Sequence, residues 1–93
     1  MKTQEQINEA IEILKENRKV CKSHNMFNES NHDKLDAQIR MLEENMDEDE
    51  IYEAFEDDED GSAADAAEQL YFDWVNDDFA DMDDLQDFLY PIN

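Results

Sequence analysis

The chain has 93 residues, of which 28 are acidic and 7 are basic, so its formal net charge at pH 7 is -21. A chain of this length forms one domain at most and buries roughly 60–65% of the surface of its unfolded form. Because this charge repels phosphates and anionic lipids, we expect no direct binding to nucleic acid or to a membrane. The longest apolar runs are three residues, at 70–72 and 88–90, too short for a membrane-spanning helix.

The cysteine content indicates a reducing compartment. Cys21 is the only cysteine in the sequence, so the chain cannot form an internal disulfide. The first residues also lack the apolar stretch of a signal peptide. We therefore predict a cytoplasmic protein.

The charge is divided unevenly along the chain. Residues 1–46 hold all seven basic side chains and nine acidic ones, whereas residues 47–93 hold nineteen acidic side chains and no Lys or Arg. The single Gly and single Pro leave few sites for tight turns, and no segment alternates apolar and polar residues over the length of a strand. We predict one all-α domain over residues 1–93, in which a near-neutral helical hairpin (1–46) precedes two or three shorter helices in a strongly acidic half (47–93).

Two amphipathic patterns predict the hairpin. Thr3 and Gln6 form a capping box for a first helix over about residues 4–22. Its buried stripe is predicted to contain Ile7, Ala10, Ile11, Leu14 and Cys21. Residues 23–31 are rich in turn formers and predict a loop. A second helix, over about residues 32–46, is predicted to bury Leu35, Ile39, Leu42 and Met46.

Three further helix starts are predicted in the acidic half. Asp47 with Glu50 caps a short third helix, and Ser62 with Asp65 caps a fourth helix that extends to about Asn76. Asp81 with Asp84 begins a last short helix, which must end before Pro91. The inward side chains of the third and fourth helices are predicted to be Ile51, Ala54, Phe55, Ala63, Ala66, Ala67, Leu70, Tyr71 and Trp74.

The acidic runs exceed what a solvated helix surface requires. Ten of the fourteen residues at 47–60 are acidic, without one compensating cation. Unpaired like charges one helical turn apart destabilise a helix by a few tenths of a kcal/mol each, so a benefit outside the fold is expected. We predict a partner-binding acidic surface made of Asp47, Glu48, Asp49, Glu50, Glu53, Glu56, Asp57, Asp58, Glu59, Asp60, Asp73, Asp77, Asp78, Asp81, Asp83 and Asp84.

In size, acidity and helical content the chain resembles the small acidic DNA-mimic proteins of phages and mobile elements. The segments 47–60 and 73–87 carry the resemblance, which rests on charge and not on a residue motif. It implies a non-enzymatic inhibitor that occupies the nucleic-acid site of a basic protein, as in phage counter-defence of the anti-restriction or anti-CRISPR type, acting in the bacterial cytoplasm. The near-neutral first half departs from the pattern and suggests a scaffold or a dimerisation element.

Apolar side chains outside the predicted core leave two interpretations open. Phe72 lies opposite the inward face of the fourth helix. It is either covered by the final helix or exposed as an apolar anchor inside an acidic rim. Ile13, Val20 and Met41 lie off the main stripes, and they form either a homodimer surface or small satellite contacts.

Metal binding and catalysis are the alternatives to a binding protein. Glu56, Asp58 and Asp60 before Gly61 resemble part of an EF-hand loop, but Ala67 stands where the bidentate Glu belongs. Cys21, His24 and His32 could form a zinc site if Asp33 or Asp36 completed the set, but structural zinc often uses two Cys, and we expect a core Cys and two exposed imidazoles instead. No phosphate loop or nucleophile motif is present. We therefore predict no metal, no cofactor and no enzymatic activity. An acidic adaptor or chaperone for a basic protein is the main alternative function, and a divalent-cation-binding protein is a weaker one.

Overall fold

Each regular element in the part of the chain that the structure describes is a helix. This computed structural model describes residues 2–21, 26–57 and 61–90, without the side chains of residues 26–30. The elements are α1 (Gln4–Val20), α2 (Met26–Glu43), α3 (Glu48–Ala54) and α4 (Ser62–Leu70), followed by a π-helical turn (Tyr71–Val75) and a 3-10 helix (Asp84–Phe88). The all-α prediction is confirmed, and α1 and α2 pack as the expected hairpin.

The ends of α1 and α2 differ in how well the sequence predicted them. At the start of α1, the Thr3 side chain accepts from the Gln6 backbone, and the Gln6 side chain accepts from the Thr3 backbone, as expected. The predicted loop at 23–31 is wrong at its second end, because α2 begins at Met26. Asn and Ser lower helix propensity by only a few tenths of a kcal/mol each. The turn formers at 26–31 therefore do not prevent a helix. Further along α2, a ring nitrogen of His32 lies 2.5 Å from the Cys21 carbonyl oxygen at the end of α1.

The hydrophobic core is shared by the two halves of the chain. The predicted stripes of α1 and α2 are buried, and α2 packs more extensively on α4 than on α1. The most fully buried apolar side chains therefore come from both halves: Leu14, Leu35, Met41, Leu42, Ile51, Leu70, Trp74 and Leu85. The hairpin is thus one wall of the core and not a separate scaffold, because the acidic half supplies the opposite wall.

The acidic half begins as predicted with a capping box between Asp47 and Glu50. The predicted start of α4 is wrong by one residue. Gly61 is the residue before the helix, with a left-handed φ of 73° that favours glycine, and Ser62 is the first helical residue. Beyond Leu70 the helix widens into the π-helical turn, where the Asn76 N–H donates to the Tyr71 carbonyl at 2.9 Å. This helical stretch ends close to the predicted residue 76.

Among the described residues, Gln38 has a buried side-chain atom that makes no hydrogen bond. The Gln38 Nε2 donates to the Ala66 carbonyl at 3.3 Å, across the α2–α4 contact. Its Oε1 is buried and has no hydrogen-bond partner among the described residues. A buried unpaired acceptor costs about 1–3 kcal/mol.

We expect Gln38→Met to raise the free energy of unfolding by about 1 kcal/mol, because the unpaired oxygen is removed and the side-chain volume is kept. Urea denaturation followed by far-UV circular dichroism measures this change. The matched control is Gln69→Met on the exposed side of α4, where we expect a change within about 0.5 kcal/mol. Destabilisation by Gln38→Met of more than about 1 kcal/mol would show that the lost bond to the Ala66 carbonyl outweighs the removal of the unpaired oxygen.

Candidate partner-binding surface

Most of the described cations lie on the hairpin, where they contact groups within the fold. Lys15 pairs with Glu43 at 3.2 Å, Arg18 pairs with Asp36, and Arg40 pairs with Glu44 at 2.7 Å. Two cations also lie over aromatic rings of the acidic half, Lys34 over Tyr90 and Arg40 over Phe55. The sequence contains no Lys or Arg after Arg40. The carboxylates of the acidic half therefore receive little compensation from the fold.

Lys2 is the cation that enters the acidic half most deeply. It is 8% exposed, and its Nζ donates to the Asp77 carbonyl at 2.6 Å. The ammonium lies 4.9 Å from the centre of the Trp74 ring, and the Lys2 N–H donates to the Val75 carbonyl at 3.2 Å. Lys2 thus fixes the segment that follows the π-helical turn.

Four carboxylates meet around one shallow hollow of the acidic half. Asp73, Asp77, Asp84 and Asp87 line a space of about 450 Å³, whose floor includes Phe88. A neighbouring hollow of about 500 Å³ is lined by Asp65, Glu68 and Phe72, and it shares Gln69 and Asp73 with the first. We call this continuous surface the acidic face, and it comprises Asp65, Glu68, Asp73, Asp77, Asp84 and Asp87.

Tyr52 connects α3 to the acidic face. Its hydroxyl is hydrogen-bonded to the Glu68 carboxylate, and this bond, with the nearby negative charges of Glu68, Glu48 and Asp65, raises the pKa of Tyr52 above its ordinary value. Acidic side chains of α3 and α4 therefore lie close enough to act on a common group. The negative potential extends from the start of α3 to the 3-10 helix.

The predicted acidic residues divide into four groups, one of which, Asp78, Asp81 and Asp83, lies in the segment between the π-helical turn and the 3-10 helix. Asp73, Asp77 and Asp84 come together on the acidic face, whereas the predicted members on and after α3 lie on a separate exposed element: Asp47, Glu48, Asp49, Glu50, Glu53, Glu56 and Asp57. Asp58, Glu59 and Asp60 lie outside the described residues. The sequence reasoning did not include Asp65, Glu68 or Asp87, because helix caps and surface faces both accept acidic residues.

Several predicted carboxylates also have a structural use in the segment between the π-helical turn and the 3-10 helix. An Asp77 carboxylate oxygen accepts from the Phe79 N–H at 2.9 Å. Asp81 accepts from the N–H groups of Asp83 and Asp84, and Asp84 accepts from the Asp81 N–H. Asp81 and Asp84 thus form the predicted reciprocal bonds, but the predicted helix start is wrong by two residues, because the 3-10 helix begins at Asp84 after Asp83. The helix ends at Phe88, before Pro91, as predicted. Asp78 and Asp83 are exposed.

Two aromatic side chains are exposed beside these carboxylates. Phe72 keeps 44% of its surface exposed, so the interpretation that the final helix covers it is wrong. Its ring contacts Tyr71 edge to face, with centroids 5.2 Å apart. Phe79 is 97% exposed, and the sequence reasoning did not single it out. Helical periodicity assigns faces only within a helix, whereas Phe79 lies in a turn.

One residue of the suggested homodimer surface is buried in the core. Met41 is 1% exposed and belongs to the core, because the close contact of α2 with α4 covers both sides of this helix. Ile13 is partly buried, and Val20 is exposed at the end of α1.

Within the described residues, no three His, Cys, Asp or Glu side chains are grouped as metal ligands would be. Cys21 is buried, and burial raises the pKa of its thiol. The His32 ring faces the Cys21 carbonyl instead of its sulfur. His24, Asp58 and Asp60 lie outside the described residues. No helix of the described part is long and apolar enough to cross a membrane.

Comparison of the chain with protein-family models, with curated proteins and with solved structures found no match.

We expect Lys2→Met to lower the free energy of unfolding by about 1–3 kcal/mol, because the Asp77 carbonyl and the Trp74 ring lose their cation. The measurement is urea denaturation. Lys19→Met is the matched control, since Lys19 is exposed on α1 and the two substitutions change the net charge equally. If both variants lose the same stability, the effect is one of net charge and the contact at Asp77 contributes nothing.

Repulsion within the acidic half should make stability depend on salt. Between about 0.01 and 0.15 M salt the Debye length falls from ~30 to ~8 Å, which screens the exposed carboxylates from one another. We expect the thermal midpoint to rise by about 4–8 °C over this range, equivalent to about 1 kcal/mol in a domain of this size. Thermal unfolding in NaCl and in KCl should give the same rise. A flat or falling midpoint would show that the fold already compensates these charges.

Proposed function

We propose that this protein is a non-enzymatic inhibitor that imitates nucleic acid and occupies the nucleic-acid site of a basic protein. The observation that carries the proposal is the acidic face, on which six carboxylates surround two adjoining hollows. No Lys or Arg follows Arg40 in the sequence, so a partner surface rich in Lys and Arg supplies the missing positive charge.

The spacing of the carboxylates supports mimicry of a phosphate track. Asp65 and Glu68 are three residues apart on α4, and Asp84 and Asp87 are three residues apart on the 3-10 helix. Three residues advance about 4.5–6 Å along such helices, a separation of the same order as that of neighbouring phosphates in one strand. Helices hold these charges at fixed separations, whereas a disordered acidic tail would not.

The charge also explains how such an inhibitor would find its target. Complementary potentials raise association rates, and most of this gain disappears at high salt. A protein that normally binds nucleic acid presents the required cationic groove. Restriction enzymes and CRISPR effectors of bacteria are basic partners of this kind, which fits a counter-defence role for a phage-encoded chain.

The test is to remove the charge of the acidic face while keeping its shape. We expect the quadruple variant Asp73→Asn, Asp77→Asn, Asp84→Asn, Asp87→Asn to fold, because the Asn oxygen still accepts the N–H bonds of the turn. Immobilised wild-type protein should capture a basic protein from bacterial lysate at low salt, and the variant should lose it. With that purified protein, the variant should associate at least tenfold more slowly and with a shallower salt dependence.

The matched control neutralises four exposed carboxylates of α1: Glu5→Gln, Glu9→Gln, Glu12→Gln, Glu16→Gln. It changes the net charge by the same amount and should retain most of the binding. The deciding measurement is competition with duplex DNA on the captured protein, where wild-type protein should displace the DNA. A ternary complex with unchanged DNA affinity would contradict mimicry and support the adaptor function.

A further inference from the structure

Phe79 is a large apolar side chain that the fold leaves in solvent. It is 97% exposed, more than Tyr52 at 55% or Phe72 at 44%. Burying such a side chain at an interface contributes about 1.5–3 kcal/mol. Phe79 contributes nothing to the core of this protein, so its aromatic ring is available to a partner.

The backbone that carries Phe79 is held from both sides. Before it, the Lys2 ammonium binds the Asp77 carbonyl at 2.6 Å. The Phe79 N–H donates to the Asp77 carboxylate at 2.9 Å, and the Ala80 N–H donates to the Asp77 carbonyl at 3.2 Å. After it, the buried Trp74 ring donates from Nε1 to the Asp81 carbonyl at 2.8 Å.

This support lowers the entropic cost of binding. The turn is fixed to Trp74 in the core, so a partner does not need to order it. The Phe side chain itself has only two rotatable bonds, and so it loses little rotamer freedom when it is buried. An aromatic ring on a fixed turn is the type of residue that dominates binding energy at protein interfaces.

The surroundings of Phe79 define the chemistry of the partner. Asp77, Asp78 and Asp81 lie within two residues of it, and Asp77 and Ala80 line the hollow of the acidic face. A purely apolar pocket would bury the Asp77 and Asp81 carboxylates without a counter-charge from the partner, which is unfavourable. A pocket with apolar walls and Lys or Arg at its rim accommodates the ring and the carboxylates together.

We propose that Phe79 is the anchor of the interaction with the basic partner and inserts into an apolar pocket bordered by Lys and Arg. This inference rests on the proposed function. It assigns two separable roles to one surface: the acidic face sets the rate of association, and Phe79 sets the rate of dissociation. A nucleic acid and the acidic half of a second copy of this chain are poorer occupants, since both would place negative charge against Asp77 and its neighbours.

The first test compares Phe79→Ala with wild-type protein on the basic protein captured from bacterial lysate. We expect dissociation to accelerate about 30-fold or more, with association unchanged within about twofold and the salt dependence retained. Because Phe79 makes no core contact, the thermal midpoint should not change. Phe72→Ala is the control for a second exposed ring on the same face, and it should accelerate dissociation by less than about fivefold.

The second test places a photo-reactive benzoylphenylalanine at position 79 and, as a control, at position 20. Irradiation in lysate should crosslink position 79 to the basic protein, at a peptide with apolar residues next to Lys or Arg. Crosslinks to a second copy of the chain, or none at all, would overturn the inference.

The two proposals fail in different ways. If Phe79→Ala leaves dissociation unchanged while the neutralised acidic face still slows association, the anchor is refuted and the proposed function stands. If position 79 crosslinks to a basic protein but DNA affinity of that protein is unchanged, mimicry is refuted and the anchor stands.

Discussion

The structure depends on one electrostatic constraint, which is that 28 carboxylates and seven cations share a chain of 93 residues. Three described cations of the hairpin, Lys15, Arg18 and Arg40, pair with acidic side chains of the hairpin itself. The acidic half therefore depends mainly on apolar burial for its stability. It achieves this only because α4 and the π-helical turn close the same core as α2, so the two halves stabilise each other.

The π-helical turn is where the core and the charged surface meet. Tyr71, Trp74 and Val75 are buried within five residues, while Phe72 and Asp73 face outward between them. These three positions are i, i+3 and i+4, the spacing of one face of a regular helix, so the inward face of α4 continues through the wider turn. After the π-helical turn, the position of the chain is fixed by two hydrogen bonds. Lys2 donates to the Asp77 carbonyl, and Trp74 donates to the Asp81 carbonyl. The contacts that complete the core are thus the same ones that fix the position of the exposed turn.

Local sequence signals predicted where the helices lie better than they predicted which side chains are exposed or grouped together on the surface. Capping boxes at Thr3 and Asp47 and the apolar stripes depend on neighbouring residues, and they were confirmed. The early start of α2 at Met26 was missed because Asn and Ser occur in helices as well as in turns, at a cost of only a few tenths of a kcal/mol each. The position of the turn that exposes Phe79 depends in part on the bond from Lys2 to the Asp77 carbonyl, which joins residues 75 positions apart in the sequence. The grouping of carboxylates around one hollow has the same origin, because charge density along the chain does not specify which elements pack side by side.

Trp74 gives the molecule an intrinsic optical reporter. It is the only tryptophan of the chain, its ring is fully buried, and its indole N–H donates to the Asp81 carbonyl. Indole emission shifts to longer wavelength when water reaches the ring. Any event that lifts the turn from the core would therefore change the colour of the emission, without a label and without interference from the other aromatic residues. Fluorescence of the unmodified chain reports whether the turn stays closed while the protein performs its function.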